Sequence, residues 1–570
     1  MDLRLMSLRT TRWGVAVVAA VTTVATATAM YAPATQATLA SGGVGAAASA
    51  PSLALFARAN GGFTDDRWGD PKEDHMSSDA AGQYQASLDP GSLYTVEKAI
   101  GARTLWAKND NNQRAMTGYG VGVAVLDSGE SQVSGLDGSG KVTYGPDLSV
   151  EGNGVMLHED TFGHGTYMAG IIAGRGTTSS SSGLSTEAAS VQLGVAPDAK
   201  LLALKLATRD GSTDVSQVIA ALDWVTQNPV MPNGTRVRVI NLSYGTNSAQ
   251  SYLADPLAAA AENAWKHGIV VVTSAGNGDD ETGRLTDPAI DPYVLAVGST
   301  DNGGTMDGWI PSKASVAHYS QLGTAARHVD LVAPGRSVVS LRAPGSYIDV
   351  KHPEGLVAGD TSGKLFRGSG TSQAAAVVSG SVALILQANP NLTPDQVKYV
   401  LTSSAAPLTQ ATTLTAGAGT LDLAKALTIA KSMNGDGDTA SNQRDDAVQS
   451  FPTSTGQGSI DAARAGSILV DSAGIDLVGE IDIQGNPWRP AAWWKATSTE
   501  SAWYGGRWMG TTWTGDRWAS SSTWSSSRWS SSRWSTANWA SSTWTSSRWS
   551  SSRWSSSRWS SLLWTDFGWF

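Results

Sequence analysis

Short apolar runs alternate with helical patterns between about residues 94 and 432. The apolar, β-branched runs predict buried strands at 121–126, 200–206, 237–242, 269–273, 294–297 and 329–332. Residues 215–227 and 252–266 have helical patterns, and Gly268 occupies the position favoured after a helix. Alternating strands and helices predict an α/β domain with a mainly parallel twisted sheet and helices on both faces.

Helix boundary signals mark the end of this domain. Thr393, Pro394 and Gln396 supply a cap, a first-turn proline and a capping-box glutamine for one helix, and a short helix follows near Leu427. The domain is predicted as 94–432. Residues 433–487 are predicted as a polar linker with a small apolar cluster around 468–483 that packs back on the domain, and 488–570 form a Trp-rich tail.

The first 37 residues have the layout of a secretory signal peptide. Arg4, Arg9 and Arg12 precede an apolar stretch at 14–25, and small residues follow, with cleavage sites after 29 or 37. The alternative is an uncleaved membrane anchor, for which the apolar stretch is short. Residues 38–93 then form an N-terminal extension or leader. We therefore expect a secreted, extracellular protein.

Composition narrows the chemistry. The chain has 570 residues, no cysteine and a net charge of −9. Disulfides, a thiol nucleophile and Cys-ligated metals are therefore excluded. The globular part has no basic stripe of the kind that binds nucleic acid. We expect a monomer.

Tryptophan recurs every fifth residue between positions 503 and 569, with a single six-residue step. The spacers are mostly serine, and arginine directly precedes seven of these tryptophans. One interpretation is a solenoid with five residues per side. The other is a low-complexity tail that binds a cell wall, a polysaccharide or an anionic membrane surface through charge and cation–π contacts. Single-stranded nucleic acid is a weaker third partner.

Three reactive side chains end strands or begin helices. Asp127 follows the strand at 121–126, His164 precedes an apolar helix reaching Ala173, and Ser372 lies in Gly-Thr-Ser before an apolar helix. A hydroxyl needs a base such as imidazole, and a carboxylate fixes the tautomer of that imidazole. Each segment alone is more often an ordinary turn or helix entry, but together they favour nucleophilic catalysis.

The order Asp, His, Ser with flanking glycines resembles the subtilisin-like serine proteases, the subtilases. Further matching motifs are Gly194-Val195-Ala196-Pro197, Asn241-Leu242-Ser243-Tyr244-Gly245, Ser274-Ala275-Gly276-Asn277 and Val332-Ala333-Pro334-Gly335. The resemblance extends from about residue 99 to about 427. It implies a secreted serine endopeptidase with Asp127, His164 and Ser372 as its catalytic triad.

The resemblance also implies roles for the matching residues. Asn277 and the backbone N–H of Ser372 would form the oxyanion hole. Ser243, Tyr244 and Gly245 would pair with the substrate backbone like an added strand. Ser274, Ala275 and Gly276 would form the opposite wall of the main specificity pocket, whose small residues suggest tolerance of large apolar side chains.

No cofactor is required for this chemistry. Structural calcium is frequent in the family, but no site can be assigned, since residues 434–438 resemble only a fragment of a calcium loop. Protein or peptide substrates are expected. The alternatives are a transpeptidase or cyclase of the same fold, and a surface adhesion protein with a non-catalytic protease-like domain.

Overall fold

The structure is a computed structural model that describes residues 83–151, 156–176, 181–278, 283–301, 314–409, 411–433, 447–465, 469–470 and 476–513. The predicted signal peptide, most of the predicted extension and the repeats after Trp513 lie outside these residues. The fragment at 434–438 also lies outside them.

A central sheet organises the described part of the chain. Its strands are β1 (Gly122–Asp127), β2 (Val142–Tyr144), β3 (Lys200–Lys205), β4 (Val237–Leu242), β5 (Val270–Ser274), β6 (Leu295–Asp301), β7 (Ser315–Val316) and β8 (Leu331–Pro334). They lie in the order β2-β3-β1-β4-β5-β6-β7, and β8 also pairs with β6. Only β7 among these strands is antiparallel to its neighbour. The predicted mainly parallel sheet is confirmed.

Smaller sheets lie outside this one. They pair β9 (Val338–Leu341) with β10 (Leu365–Gly368), β11 (Leu469–Val470) with β12 (Asp476–Leu477), and β13 (Trp503–Tyr504) with β14 (Arg507–Trp508) and β15 (Thr511–Thr512). All of these pairs are antiparallel.

Helices cover both faces of the central sheet, as the sequence predicts. They are α1 (Leu93–Ala99), α2 (Ala102–Trp106), α3 (His164–Ala173), α4 (Val215–Gln227), α5 (Pro256–Lys266), α6 (Tyr347–Lys351), α7 (Thr371–Ala388), α8 (Pro394–Ser404), α9 (Thr413–Ala416), α10 (Leu423–Ser432), α11 (Ile460–Arg464) and α12 (Pro490–Ser498). Helices α3 and α7 pack together, and so do α4 and α5. The capping box of Thr393 and Gln396 begins α8 as predicted.

Helix α7 is buried along its whole length. It packs on α3 and on β4, β5, β6 and β8, and each of its residues is buried. Within the described residues it is the one helix whose length and hydropathy would suit a membrane span, yet the whole helix lies inside the domain. Its apolar character is therefore explained by its place in the core.

The packed domain extends past the predicted end near residue 432. Arg464, in the predicted linker, donates from Nε to Asp214 Oδ2 at 2.7 Å, and both side chains are fully buried. Asp214 also caps α4. Ile460, Trp493 and Trp508 belong to the main apolar core. Residues 447–465 and 476–513 are thus part of the domain, although the sequence predicts a linker and a tail.

The first three tryptophans of the five-residue repeat lie in a small antiparallel meander. Trp503 and Trp508 face each other across β13 and β14, and the ring centroids of Trp503 and Trp513 are 5.6 Å apart. The two-residue turns Gly505-Gly506 and Met509-Gly510 have positive φ angles, as tight hairpins with matching twist require. Each of these strands and its turn together span four residues, so tryptophans spaced five residues apart fall one position later on each successive strand. Neither sequence interpretation contained this arrangement.

Candidate active site

Asp127 and His164 form the centre of the candidate site. Asp127 is the last residue of β1 and His164 the first of α3, and both side chains are buried. His164 Nδ1 lies 2.8 Å from Asp127 Oδ1 and 2.9 Å from Oδ2. Since an ionised carboxylate only accepts hydrogen bonds, this contact places the imidazole proton on Nδ1 and leaves Nε2 able to accept one.

Neighbouring groups hold this pair in place. Asp160 accepts hydrogen bonds from the backbone of Gly163 at 2.7 Å and Thr166 at 2.8 Å, so it caps the N-terminus of α3. Ser128 Oγ bridges Asp127 and Asp160 at 3.2 and 2.8 Å. Burial raises the pKa of Asp160, while these hydrogen bonds oppose the rise. Neither Ser128 nor Asp160 is among the site residues predicted from the sequence, because their hydrogen bonds depend on the folded chain.

A glycine permits the close approach of α3 to the loop after β1. A Cβ on Gly165 would overlap the carbonyl oxygen of Gly129 and lie 3.2 Å from Asp127 Cβ. Gly129 itself has a φ of 110°. Larger residues here would push His164 away from its carboxylate.

Ser372 lies in the first turn of α7, with a fully buried side chain. Because the first turn of a helix leaves N–H groups without intrahelical partners, its backbone N–H can serve an anion. The structure thus brings Asp127 and His164 into direct contact, and it places Ser372 at the start of the helix that packs on the His164 helix.

Asn277 is held next to Ser372 by Thr371, the residue directly before that serine. Its Oδ1 accepts from the Thr371 backbone N–H at 2.9 Å and from the Thr371 hydroxyl at 2.8 Å. Its Nδ2 is buried and has no hydrogen-bond partner among the described residues. An unpaired buried donor costs about 1–3 kcal/mol, and a ligand oxygen that accepted this bond would remove that cost.

The two predicted substrate walls follow neighbouring strands. Ser243, Tyr244 and Gly245 come directly after β4, and Ser274, Ala275 and Gly276 end or follow β5. Strands β4 and β5 pair in parallel, with Leu242 opposite Thr273. Both walls therefore lie at the same edge of the sheet as Asp127.

Thr371 is the residue of this region that the sequence analysis missed. Besides its two bonds to Asn277, its hydroxyl accepts from the Gly276 backbone N–H at 3.2 Å. It therefore connects a predicted wall, the candidate oxyanion donor and the helix of Ser372. Within the described residues no cluster of three or more His, Asp or Glu side chains could hold a metal ion, so calcium stays an expectation without assigned residues.

Comparison with known proteins finds relatives over the part of the chain that contains these residues. The model of the subtilase family matches residues 118–458, more than half of the chain. Serine protease AprX of Bacillus subtilis (strain 168) is 32% identical over 301 residues, which cover 51% of this chain and 62% of that protein. Subtilisin Savinase of Lederbergia lenta is 30% identical over 52% of this chain and 87% of its own length. An extracellular serine proteinase of Thermus sp. (strain Rt41A) is 33% identical over 51% of this chain and 56% of its own.

Proposed function

Because the chain belongs to the subtilase family, we propose that it is a serine endopeptidase that cleaves extended peptide segments through an acyl-enzyme on Ser372. The observation that carries this proposal is the contact of His164 Nδ1 with both carboxylate oxygens of Asp127. It leaves a basic nitrogen on the imidazole, which is what a serine nucleophile needs.

In the proposed reaction His164 Nε2 takes the proton of the Ser372 hydroxyl while the oxygen attacks the substrate carbonyl. The imidazolium is stabilised by Asp127. The oxyanion that forms accepts hydrogen bonds from the Ser372 backbone N–H and from Asn277 Nδ2, which is unpaired before the reaction. His164 then gives its proton to the leaving amine, and water repeats the sequence to release the acid.

The substrate backbone is proposed to pair with Ser243, Tyr244 and Gly245 as an added strand. This edge requires an extended segment, so protein and peptide substrates are the proposed class. We propose a monomer, since nothing in the proposed chemistry requires a second copy.

A fluorophosphonate probe tests the nucleophile. The wild-type chain should be labelled stoichiometrically, Ser372→Ala should not be labelled, and Ser379→Ala, on the same helix, should be labelled like wild type. Absence of labelling in folded wild-type protein would support the alternative of a non-catalytic adhesion protein. Adding an amine nucleophile to a peptide digest and analysing the products distinguishes hydrolysis from transpeptidation or cyclisation.

Secretion and surface retention are further parts of the proposal. The signal-peptide layout of residues 1–37 supports export. A relative from Thermus is named as an extracellular proteinase, which agrees with it. The Arg- and Trp-containing repeats to residue 569 are proposed to bind a cell wall, a polysaccharide or an anionic membrane surface.

The retention test follows from the structure. Because Trp508 is fully buried in the domain core, a deletion should begin after Trp513. We expect removal of residues 514–570 to release the protein from cells into the medium with unchanged fluorophosphonate labelling. An unchanged partition between cells and medium would contradict the retention role.

A further inference from the structure

The space between the two predicted substrate walls is occupied by one threonine. A Cβ on Gly245 would overlap Thr286 Oγ1 and lie 2.7 Å from Thr286 Cβ. A Cβ on Gly276, in the opposite wall, would lie 2.7 Å from Thr286 Cγ2. The side chain of Thr286 therefore lies against both walls, and the gap between Gly245 and Gly276 is about as wide as a threonine side chain.

Thr286 is fixed in this position. Its backbone N–H donates to the Ala275 carbonyl at 3.1 Å, and its hydroxyl lies 3.3 and 3.4 Å from the carbonyls of Ala275 and Ser274. Its side chain is 1% exposed. Because these bonds attach it to the wall itself, Thr286 cannot rotate away without losing them.

Gln321 closes the same region from a second direction. Its side-chain oxygen occupies the position that a Cβ on Gly276 would take. Its side-chain nitrogen lies 2.9 Å from the position that a Cβ on Gly278 would have. Its backbone N–H donates to the Gly276 carbonyl at 3.0 Å. The Gln321 side chain is buried, with 3% of its surface exposed.

The position of this region relative to the chemistry follows from Asn277. If the substrate oxyanion lies at Asn277 Nδ2, the side chain of the same substrate residue lies against the segment just before Asn277. That segment is the wall of Ser274, Ala275 and Gly276. Ser274 Oγ is buried there without a hydrogen-bond partner among the described residues.

We propose that Thr286 and Gln321 form the floor of the specificity pocket and restrict the substrate residue that supplies the attacked carbonyl to short side chains. Glycine, alanine and serine fit a pocket that ends at a threonine, and phenylalanine and leucine do not. The Ser274 hydroxyl, which has no hydrogen-bond partner among the described residues, disfavours large apolar side chains further, because burying it under such a group leaves it unsatisfied. This inference rests on the proposed endopeptidase function, and it reverses the expectation of large apolar substrates drawn from the small wall residues alone.

A series of fluorogenic tetrapeptides that differ only in the residue before the cleaved bond tests the proposal. The comparison uses alanine, serine, leucine and phenylalanine at that position, with active enzyme counted by fluorophosphonate titration. We expect wild type to have kcat/KM at least about 10-fold higher for alanine than for phenylalanine, since each misfitting group in such a pocket costs about 10–200-fold.

Three variants locate the cause. Thr286→Ala should lower the ratio of kcat/KM for the alanine substrate to kcat/KM for the phenylalanine substrate by about 10-fold or more. Thr286→Val, which keeps the volume and loses the hydroxyl, should keep the wild-type ratio. Gln321→Ala should shift the ratio in the same direction as Thr286→Ala, and it provides an independent test if Thr286→Ala fails to fold.

The outcomes separate the two proposals. A folded wild type that is not labelled by the probe overturns the endopeptidase function. A labelled wild type that prefers phenylalanine, or labelled Thr286→Ala and Gln321→Ala with unchanged ratios, overturns the specificity floor alone.

Discussion

Asn277 Oδ1 accepts two hydrogen bonds from Thr371, one from the backbone N–H at 2.9 Å and one from the hydroxyl at 2.8 Å. Since a backbone N–H can only donate, the oxygen of the Asn277 amide must face Thr371, and its NH₂ group faces away. The residue before Ser372 therefore orients the amide whose nitrogen is unpaired. This relationship connects the start of α7 to the loop after β5 and makes the two parts of the proposed oxyanion hole one unit.

Asn277→Ala is expected to lower kcat by ~10²–10³ with little change in KM, because the lost donor acts on charge that develops in the transition state. Steady-state kinetics on one peptide substrate measures both constants. Asn233→Ala, at an exposed loop position, is the matched control and should behave like wild type. A rise in KM at unchanged kcat would assign Asn277 to substrate binding instead.

Asp127→Asn should lower kcat by roughly 10⁴-fold. The amide can donate toward Nδ1, which favours the tautomer with its proton on Nε2, and that nitrogen can then no longer accept the Ser372 proton. The exposed Asp137 provides the control, and Asp137→Asn should retain wild-type kcat. If Asp127→Asn keeps more than a tenth of the activity while its unfolding temperature is unchanged, the carboxylate does not act through His164.

Glu130 should make the protein less stable as pH rises. Both of its carboxyl oxygens are buried without a partner among the described residues, and burial raises the pKa of Glu130 to about 8, with the charge of Asp160 adding to the effect and that of Lys141 opposing it. The folded state therefore keeps a proton that the unfolded state loses near its ordinary pKa of about 4.3. Over the window from about 4.3 to about 8 the free energy of unfolding falls with rising pH, and above it this contribution is constant.

Glu130→Gln removes that titration. The unfolding temperature of the variant minus that of wild type should therefore increase between pH 4 and pH 8. We expect an advantage of about 5 °C at pH 9 and almost none at pH 4. Thermal unfolding followed across this pH range measures the difference, with Asp137→Asn as the control of an exposed carboxylate. A constant difference at all pH values would show that Glu130 does not titrate in this range.

Asp223 attaches the C-terminal segment to the domain. It accepts hydrogen bonds from Trp493 Nε1 at 3.1 Å, from Trp508 Nε1 at 2.9 Å and from the Thr497 hydroxyl. Asp223→Asn replaces one acceptor oxygen by an NH₂ donor and leaves buried donors unpaired, which should cost about 1–3 kcal/mol each.

The expected result for Asp223→Asn is a lower unfolding temperature and faster proteolysis of the segment around residues 490–513, with catalysis of the intact protein unchanged. Limited proteolysis with mass spectrometry identifies the cleavage positions, and Asp137→Asn again serves as the control. Unchanged proteolysis would mean that apolar packing of the tryptophans alone holds the segment.

Much of the fold is predictable from the sequence because buried parallel strands are continuous apolar runs. The run at 237–242 coincides with β4 (Val237–Leu242), and the helical pattern at 215–227 coincides with α4. The positions of Asp127 at a strand end and His164 at a helix start follow from the same local patterns. Their roles, and that of Ser372, stay predictions that the kinetic and labelling experiments test.

The sequence by itself determined the strand order along the chain, the mainly parallel α/β architecture and the candidate residues, since each depends on neighbouring positions. Only the tertiary structure decided that residues 447–465 and 476–513 belong to the domain, because single side chains such as Arg464 reach partners some 250 positions away without any periodic pattern. It also decided which side chains lie beside the glycines of the two predicted substrate walls. The glycines at 245 and 276 indicate in the sequence that a Cβ does not fit there. Only the folded chain shows that Thr286 and Gln321 lie in the space that a Cβ would take.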